Sequence, residues 1–363
     1  MNFPLFFRIA LAALMLPLSL QFAVAASAPS SSAPAVRAPE VAAPPAPSAA
    51  PKPAAPTAPK PGDADYDPTQ PAGAPAPAVI PTPPPRKVIG KPTSTRSFVW
   101  EVKSPTNTVY LFGTIHVGKR AFYPLPEPVE AALDSAAKLV VEADIDKPLA
   151  PAQMAPLIGY PPPDSLDKHI PKALFERLQA QLTRLKIPVE AVKPMKPFVV
   201  GGLLSLSEFS RLGYDMNLGV DAYLITRARD ASKPVLELES TEAQMKLMSG
   251  MSADLQEAFL ENAIVTLESG NTADQVTGMV NAWQVGDTAL MQEVVQSVNK
   301  GMRLSSALDD VLLHGRHEAM LKKIEGYLAG KEIHFVAVGS LHLVGPRGLL
   351  QSLKARGYEI NQK

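Results

Sequence analysis

The chain has no cysteine in 363 residues. That excludes disulfides, thiolate nucleophiles and cysteine-ligated zinc, and it fits an exported protein held together by its core alone. It has no excess charge of either sign, because 35 Lys+Arg balance 35 Asp+Glu. No global basic field is present, so no nucleic-acid partner is expected. It also lacks a P-loop, a Rossmann fingerprint, a G-x-S-x-G elbow and an EF-hand loop. After the N-terminus no apolar run reaches membrane length. The longest, Phe198 to Leu206, lies between Lys196 and Glu208, so no span is expected in the mature chain.

What is present divides into three parts. Met1 to Arg8 carries one positive charge, Ile9 to Phe22 is apolar apart from Ser19 and Gln21, and Ala23-Val24-Ala25 reads as a small-residue cleavage site. Residues 1–25 therefore read as a signal peptide, and the mature protein as periplasmic or secreted. An uncleaved anchor is the alternative; Pro17 and the Ala-Val-Ala site favour cleavage. No cysteine follows that site, which argues against a lipoprotein anchor. Residues 26–93 are almost all Ala, Pro and Ser. Such a stretch buries too little apolar area to offset chain entropy and is expected to be a disordered, partly polyproline II linker. Residues 94–363 are long enough for one large core or two subdomains.

Within 94–363 the pattern alternates strand and helix at both flanks. "SFVWEV" (97–102) and "TVYLFG" (108–113) read as a hairpin, and "KLVVEADI" (138–145), "PVLELES" (234–240) and "EIHFVAVG" (332–339) read as strands. Helices are expected near 127–137, 171–186, 198–211 and 219–230, and in several pieces over 241–330. "SLHLVG" reads as a loop, 346–356 as a helix opened by Pro346 and closed before Gly357, and "YEI" as a last short strand. The fold class is α/β: a central mixed sheet, flanking helices and a helical insertion in the middle of the domain.

One local pattern occurs twice. "LFGTIHVG" (111–118) and "AVGSLHLVG" (337–345) each run from aliphatic residues through Gly to a hydroxyl residue and then His. Both follow predicted strands, and in open α/β sheets ligands collect at carboxyl strand ends. If the two strands lie close in the sheet, His116 and His342 converge. Imidazole suits both metal ligation and general-base work. The plain alternative is two unrelated turns, each with a hydrogen-bonded histidine. On a strand, Glu142, Asp144 and Asp146 would share one face. Glu142 can then complete a metal site or orient a histidine; otherwise it is a solvated strand end. Glu237 and Glu239 repeat that pattern more weakly, and one of them can equally cap the next helix. Asp221, near a helix start, serves either the helix dipole or the site. Arg316, four residues before Met320 on a helix, either clamps a carboxylate or an oxyanion or forms a structural salt bridge. His314 and His317 are three apart, but they match no zinc-helix motif and read as solvated or capping. His169 and His334 read as structural.

The strings "YLFGTIHVG", "LVVEADI", "GVDAYL", "KPVLELES", "GRHEAM" and "FVAVGSLHLVGPRGLLQSLKARGYEI" together resemble the TraB/GumN family, over about residues 94–363. That family is related to the Tiki membrane proteases and, more distantly, to erythromycin esterases. The resemblance implies a shared α/β fold and a metal-dependent hydrolase or protease site whose motif residues fall on His116, Glu142, Arg316 and His342. One position departs: the family helix often carries Asn after the arginine, where His317 stands here. The esterase relatives imply that histidine can act as a base without metal.

Three readings follow. The first is an exported hydrolase, plausibly a metalloprotease, with a divalent Mn, Co or Zn ion held by His116 and His342. Glu142 is then third ligand or base, and Arg316 stabilises developing charge. The second is a metal-free hydrolase with a histidine base oriented by Glu142. The third is a non-catalytic pocket for a peptide, a signalling molecule or haem. The expected partner is a peptide or small-molecule substrate.

Overall fold

The computed structural model describes residues 96–363 apart from Pro148. The signal-peptide and linker expectations lie outside the described residues. Six strands form one mixed sheet: β1 (Val99–Lys103), β2 (Thr108–Thr114), β3 (Lys138–Val141), β4 (Val235–Glu237), β5 (His334–Gly339) and β6 (Glu359–Gln362), in the order β4-β3-β5-β2-β1-β6. β4, β3, β5 and β2 run parallel, while β1 and β6 are antiparallel to their neighbours. The central position of β5 explains its composition. Every residue of His334–Gly339 is buried, as expected for a strand covered on both faces. β6, at the edge, alternates exposed and half-buried residues.

The helices are α1 (Glu127–Ser135), α2 (Pro151–Ile158), α3 (Lys172–Leu185), α4 (Pro197–Arg211), α5 (Val220–Asp230), α6 (Thr241–Ser249), α7 (Ala253–Glu268), α8 (Thr272–Gln284), α9 (Thr288–Asn299), α10 (Ser305–Leu312), α11 (His317–Leu328), α12 (Ser340–Leu343) and α13 (Leu349–Ala355), with a single further turn at Val189–Val192. One apolar core surrounds the sheet, where Phe112 and Phe335 from paired strands sit 5.6 Å apart between ring centres. Two further clusters fill the helical middle region. The first joins Ala143 to methionines 154, 245, 248 and 251. The second packs α3 against α4 and α7.

Three local expectations are corrected. β3 stops at Val141, so Glu142, Asp144 and Asp146 share no strand face. The chain turns there because Asp144 is drawn to Arg229, whose Nη2 lies 2.9 and 3.0 Å from its two oxygens, and Asp146 also pairs with Arg229. "SLHL" is a turn of helix, α12, not a loop. α13 starts at Leu349 rather than Pro346, because Gly345 at φ +86° reverses the chain first and Gly348 becomes the N-cap.

Candidate active site

Each of the four parallel strands delivers one side chain past its carboxyl end. β2 leads to His116, β3 to Glu142, β4 to Glu239 and β5 to His342. β2 and β5 are direct neighbours, with Thr114 opposite Gly339, so the two Gly-x-x-His turns lie side by side. They are also bonded to each other, since Ser340 Oγ donates to the Thr114 carbonyl at 2.8 Å. Trp283 of α8 donates its indole N–H to the Gly113 carbonyl at 2.6 Å and fixes the end of β2 from behind.

The histidines and Glu142 meet at Gly339. A Cβ built there would lie 3.2 Å from Glu142 Oε1, 3.5 Å from His116 Nε2 and 3.6 Å from His342 Cδ2. Glycine therefore leaves a cradle about the size of a methyl group between three functional side chains. The Gly339 N–H donates to Glu142 Oε1 at 2.6 Å, and His342 Nε2 lies 3.4 Å from the same oxygen.

His116 is set by Asp221. The carboxylate Oδ2 is 2.7 Å from Nδ1, so Nδ1 carries the proton and Nε2 turns to the cradle. Thr114 Oγ donates to the other Asp221 oxygen at 2.8 Å. α5 presents Asp221 because its start docks on the same turn. Val220 N donates to the Ile115 carbonyl, and a Cβ at Gly219 would come within 2.4 Å of the His116 carbonyl oxygen. Asp221 is thus bonded to the site, beyond any interaction with the helix dipole.

Arg316 is not on the continuous helical face expected of it. A 3-10 turn at His314–Arg316 precedes α11 and turns the guanidinium inward. Its Nη2 donates to Glu142 Oε2 at 2.9 Å, its Nε to both Glu239 oxygens at 3.0 and 3.1 Å, and its Nη1 to the Leu312 carbonyl at 2.9 Å. Glu239 therefore holds Arg316, while Ser240 caps α6 through Ala243 N. Gln244, which no local sequence pattern marked, bridges the two acids, with Nε2 at 3.3 Å from Glu142 and 3.1 Å from Glu239. His317, expected to be solvated or capping, is buried with Nε2 3.0 Å from His342 Nδ1. His169 pairs with Asp164, and His334 bonds the Glu332 carbonyl and stacks on Tyr327, both away from these residues.

The electrostatics follow from burial. His116, Glu142, Arg316 and His342 are 6, 3, 7 and 1% exposed, so charges there interact through little water. Burial alone would raise the Glu142 pKa, but Arg316, His116 and the Gly339 N–H reverse this and hold it below the ordinary carboxylate range. Burial would likewise lower His116, yet Asp221 and Glu142 overcome it and raise its pKa. His342 goes the other way: burial and then the Arg316 charge hold it well below normal, so the ring is neutral. Burial brings His317 down to about 4.

The donor chemistry suits a divalent cation. Two imidazoles and a carboxylate edge the cradle, and the other ring nitrogen of each imidazole is engaged by Asp221 or His317, the outer-shell support metal-binding histidines use. Two carboxylates, Glu142 and Glu239, also face the Arg316 guanidinium. The set is not preassembled: among the described residues no three His, Asp or Glu side chains stand in metal-holding geometry. Arg316 Nη1, 3.3 Å from His342 Nε2, occupies one approach.

Among the described residues no helix is long and apolar enough to cross a membrane. Curated relatives include the uncharacterized protein YbaP of Escherichia coli (strain K12), 26% identical over 245 residues, covering 68% of this chain and 87% of that protein. The metalloprotease TIKI2 of Danio rerio is 23% identical over 328 residues, covering 74% of this chain and 62% of that one. An uncharacterized protein of Treponema pallidum is 20% identical over 270 residues, covering 71% and 80%. No solved structure matches at a significant level. The model of the TraB/PrgY/gumN family matches residues 98–362, nearly the whole described chain, and the protein belongs to that family.

Proposed function

We propose that the protein is an exported hydrolase acting on peptide bonds, with its attacking water placed in the cradle at Gly339. The convergence of His116 Nε2, Glu142 Oε1 and the His342 ring on that point is the observation that carries the reading. The name of the zebrafish relative, a metalloprotease, supports the choice of peptide. The leader-like N-terminus supports export to the periplasm or outside the cell.

The chain's own groups have distinct parts. His116 Nε2 accepts a proton from the water, and the Asp221 carboxylate at Nδ1 stabilises the resulting imidazolium. Glu142, kept ionised by Arg316 and the Gly339 N–H, orients that water through Oε1. Arg316 places positive charge beside His342 and Glu142, where an oxyanion would develop. A divalent ion, of the Mn, Co or Zn kind, would be held by His116, His342 and Glu142. When bound, it supplies a water ionised near neutral pH. A metal-free variant of the same reaction is favoured by one specific observation, the buried Asp221–His116 pair, which already has the form of a base and its orienting acid.

The test is hydrolysis of a peptide library by the mature protein, after exhaustive chelation and after return of Mn, Co or Zn. Wild type is compared with His116→Ala and His342→Ala, with metal content measured in all three. Turnover restored by metal, and lost together with metal content in both variants, supports the metal-dependent form. Turnover that survives chelation but not His116→Ala supports the metal-free form. No turnover of any peptide under either condition removes the peptidase reading.

A further inference from the structure

We infer that His317 is a positioning residue that sets the tautomer of His342, holding the His342 proton on Nδ1 and leaving Nε2 bare between Arg316 and Glu142. The inference deepens the hydrolase reading, but its geometric basis stands apart from it.

Three contacts run in series, from a part-buried carbonyl to buried side chains. The Arg347 carbonyl oxygen lies 2.9 Å from His317 Nδ1. His317 Nε2 lies 3.0 Å from His342 Nδ1, the two rings meeting at 60° with centres 5.2 Å apart. His342 Nε2 lies 3.3 Å from Arg316 Nη1. The two ends of this series have fixed polarity, since a carbonyl oxygen only accepts and a guanidinium only donates. His317 Nδ1 must therefore carry that ring's proton. A neutral imidazole has one such proton, so His317 Nε2 is an acceptor. His342 Nδ1 must then donate to it, and His342 Nε2 is left as an acceptor facing Arg316; Glu142 Oε1, 3.4 Å from the same nitrogen, makes its hydrogen bond instead with the Gly339 N–H. The reversed assignment sets lone pair against lone pair at Arg347 and proton against proton at Arg316. The Arg316 mismatch would be buried and the Arg347 one part-buried, where an unmade hydrogen bond is costly.

The consequence bears on any chemistry at that ring. Nε2 can take a proton or offer its lone pair to a cation only if it carries no hydrogen, and the outer nitrogen's partner decides this. His116 receives the same service from Asp221. The two motif histidines are thus presented alike, one by a carboxylate and one by a neutral imidazole. A carboxylate beside His342 would add a fourth acid to a site that already holds Asp221 together with Glu142 and Glu239, the two that face Arg316; a neutral acceptor fixes the tautomer without adding charge.

The test is two-bond 1H–15N correlation of the histidine rings in the full mature chain, after chelation. His342 should show a protonated Nδ1 and a bare Nε2, and His317 likewise. His317→Gln keeps an acceptor near the Nε2 position and should preserve the His342 pattern. His317→Leu removes it and should move the His342 proton toward Nε2, with kcat on a library peptide falling about 10–100-fold and KM little changed. A wild-type His342 protonated on Nε2, or a His317→Leu variant whose His342 tautomer is unchanged, overturns the inference. If His317→Leu does not fold, the wild-type and His317→Gln spectra decide. Expected tautomers in a protein that hydrolyses nothing would leave this inference standing and remove the hydrolase reading instead.

Discussion

Replacing Gly339 by alanine separates folding from chemistry. The backbone there has φ −51° and ψ 133°, which alanine adopts without strain. The new methyl would meet Glu142 Oε1 at 3.2 Å, a contact relieved by a few tenths of an ångström, and would clear His116 Nε2 at 3.5 Å. Overpacking costs about 1 kcal/mol at this level, and the stiffer unfolded chain returns about 0.4–1 kcal/mol. The melting temperature should therefore stay within about 4 °C of wild type. The methyl, however, stands where the water must stand. A fall of at least about 100-fold in turnover, about 2.7 kcal/mol in barrier, is expected. Gly113→Ala is the control in the other motif. Its Cβ would lie 2.5 and 2.9 Å from ring atoms of buried Phe98 and 3.1 Å from the Ser340 backbone, so it should cost about 1–3 kcal/mol of stability. The assays are thermal melting and hydrolysis of a library peptide on both variants. Wild-type turnover in Gly339→Ala, or a loss of stability equal to that of Gly113→Ala, would refute the reasoning.

Arg316→Ala strands Glu142 and Glu239 without their cation and should destabilise by about 3–5 kcal/mol in urea titration; a loss below about 1 kcal/mol would show that the buried acids are not held as described. Asp221→Asn removes the charge on His116 Nδ1 and should lower kcat by about 100-fold or more with the fold intact. An unchanged pH–rate profile in that variant would rule out His116 as the base. Stability should also fall between pH 6.5 and 4. His317 has a folded pKa of about 4 against 6.5 unfolded, so its contribution is complete above 6.5 and is lost toward 4, to a ceiling of about 3 kcal/mol. His342 acts in the same direction. His116, raised in the fold, gives stability already complete below 6.5 and cannot offset the loss there. A urea midpoint at pH 5 equal to or above that at pH 7 would contradict this.

The sheet and the paired histidine turns were legible because both leave local marks. β2 and β5 are short aliphatic runs ended by glycine, and the repeat of Gly, hydroxyl and His after each run points to one setting used twice. Their adjacency follows from the parallel pairing of Thr114 with Gly339. Where β3 ends was not legible, since "LVVEADI" stays compatible with strand until Arg229, distant in sequence, claims Asp144 and Asp146. The inward turn of Arg316 and His317 was hidden for a similar reason. Read as one helix, residues 314–328 place both on a flank, but the 3-10 turn at His314–Arg316 resets the face. Gln244 and Trp283 act across 102 and 170 residues of chain, and no spacing rule reaches that far.

The charge arrangement links these observations to one requirement. Asp221, Glu142 and Glu239 bring three carboxylates to the site, and Arg316 is the buried guanidinium that faces two of them. Arg316 cannot serve Asp221, which is bonded instead to His116 and Thr114. The raised pKa of His116 is the local answer, because a proton taken up by that ring from the water supplies positive charge where the arginine does not reach. A divalent cation held by the same histidine would answer the same need in place of that proton. The two hydrolytic readings are therefore alternative ways of meeting one electrostatic demand, built by acids at strand ends and read out on the Nε2 of His116.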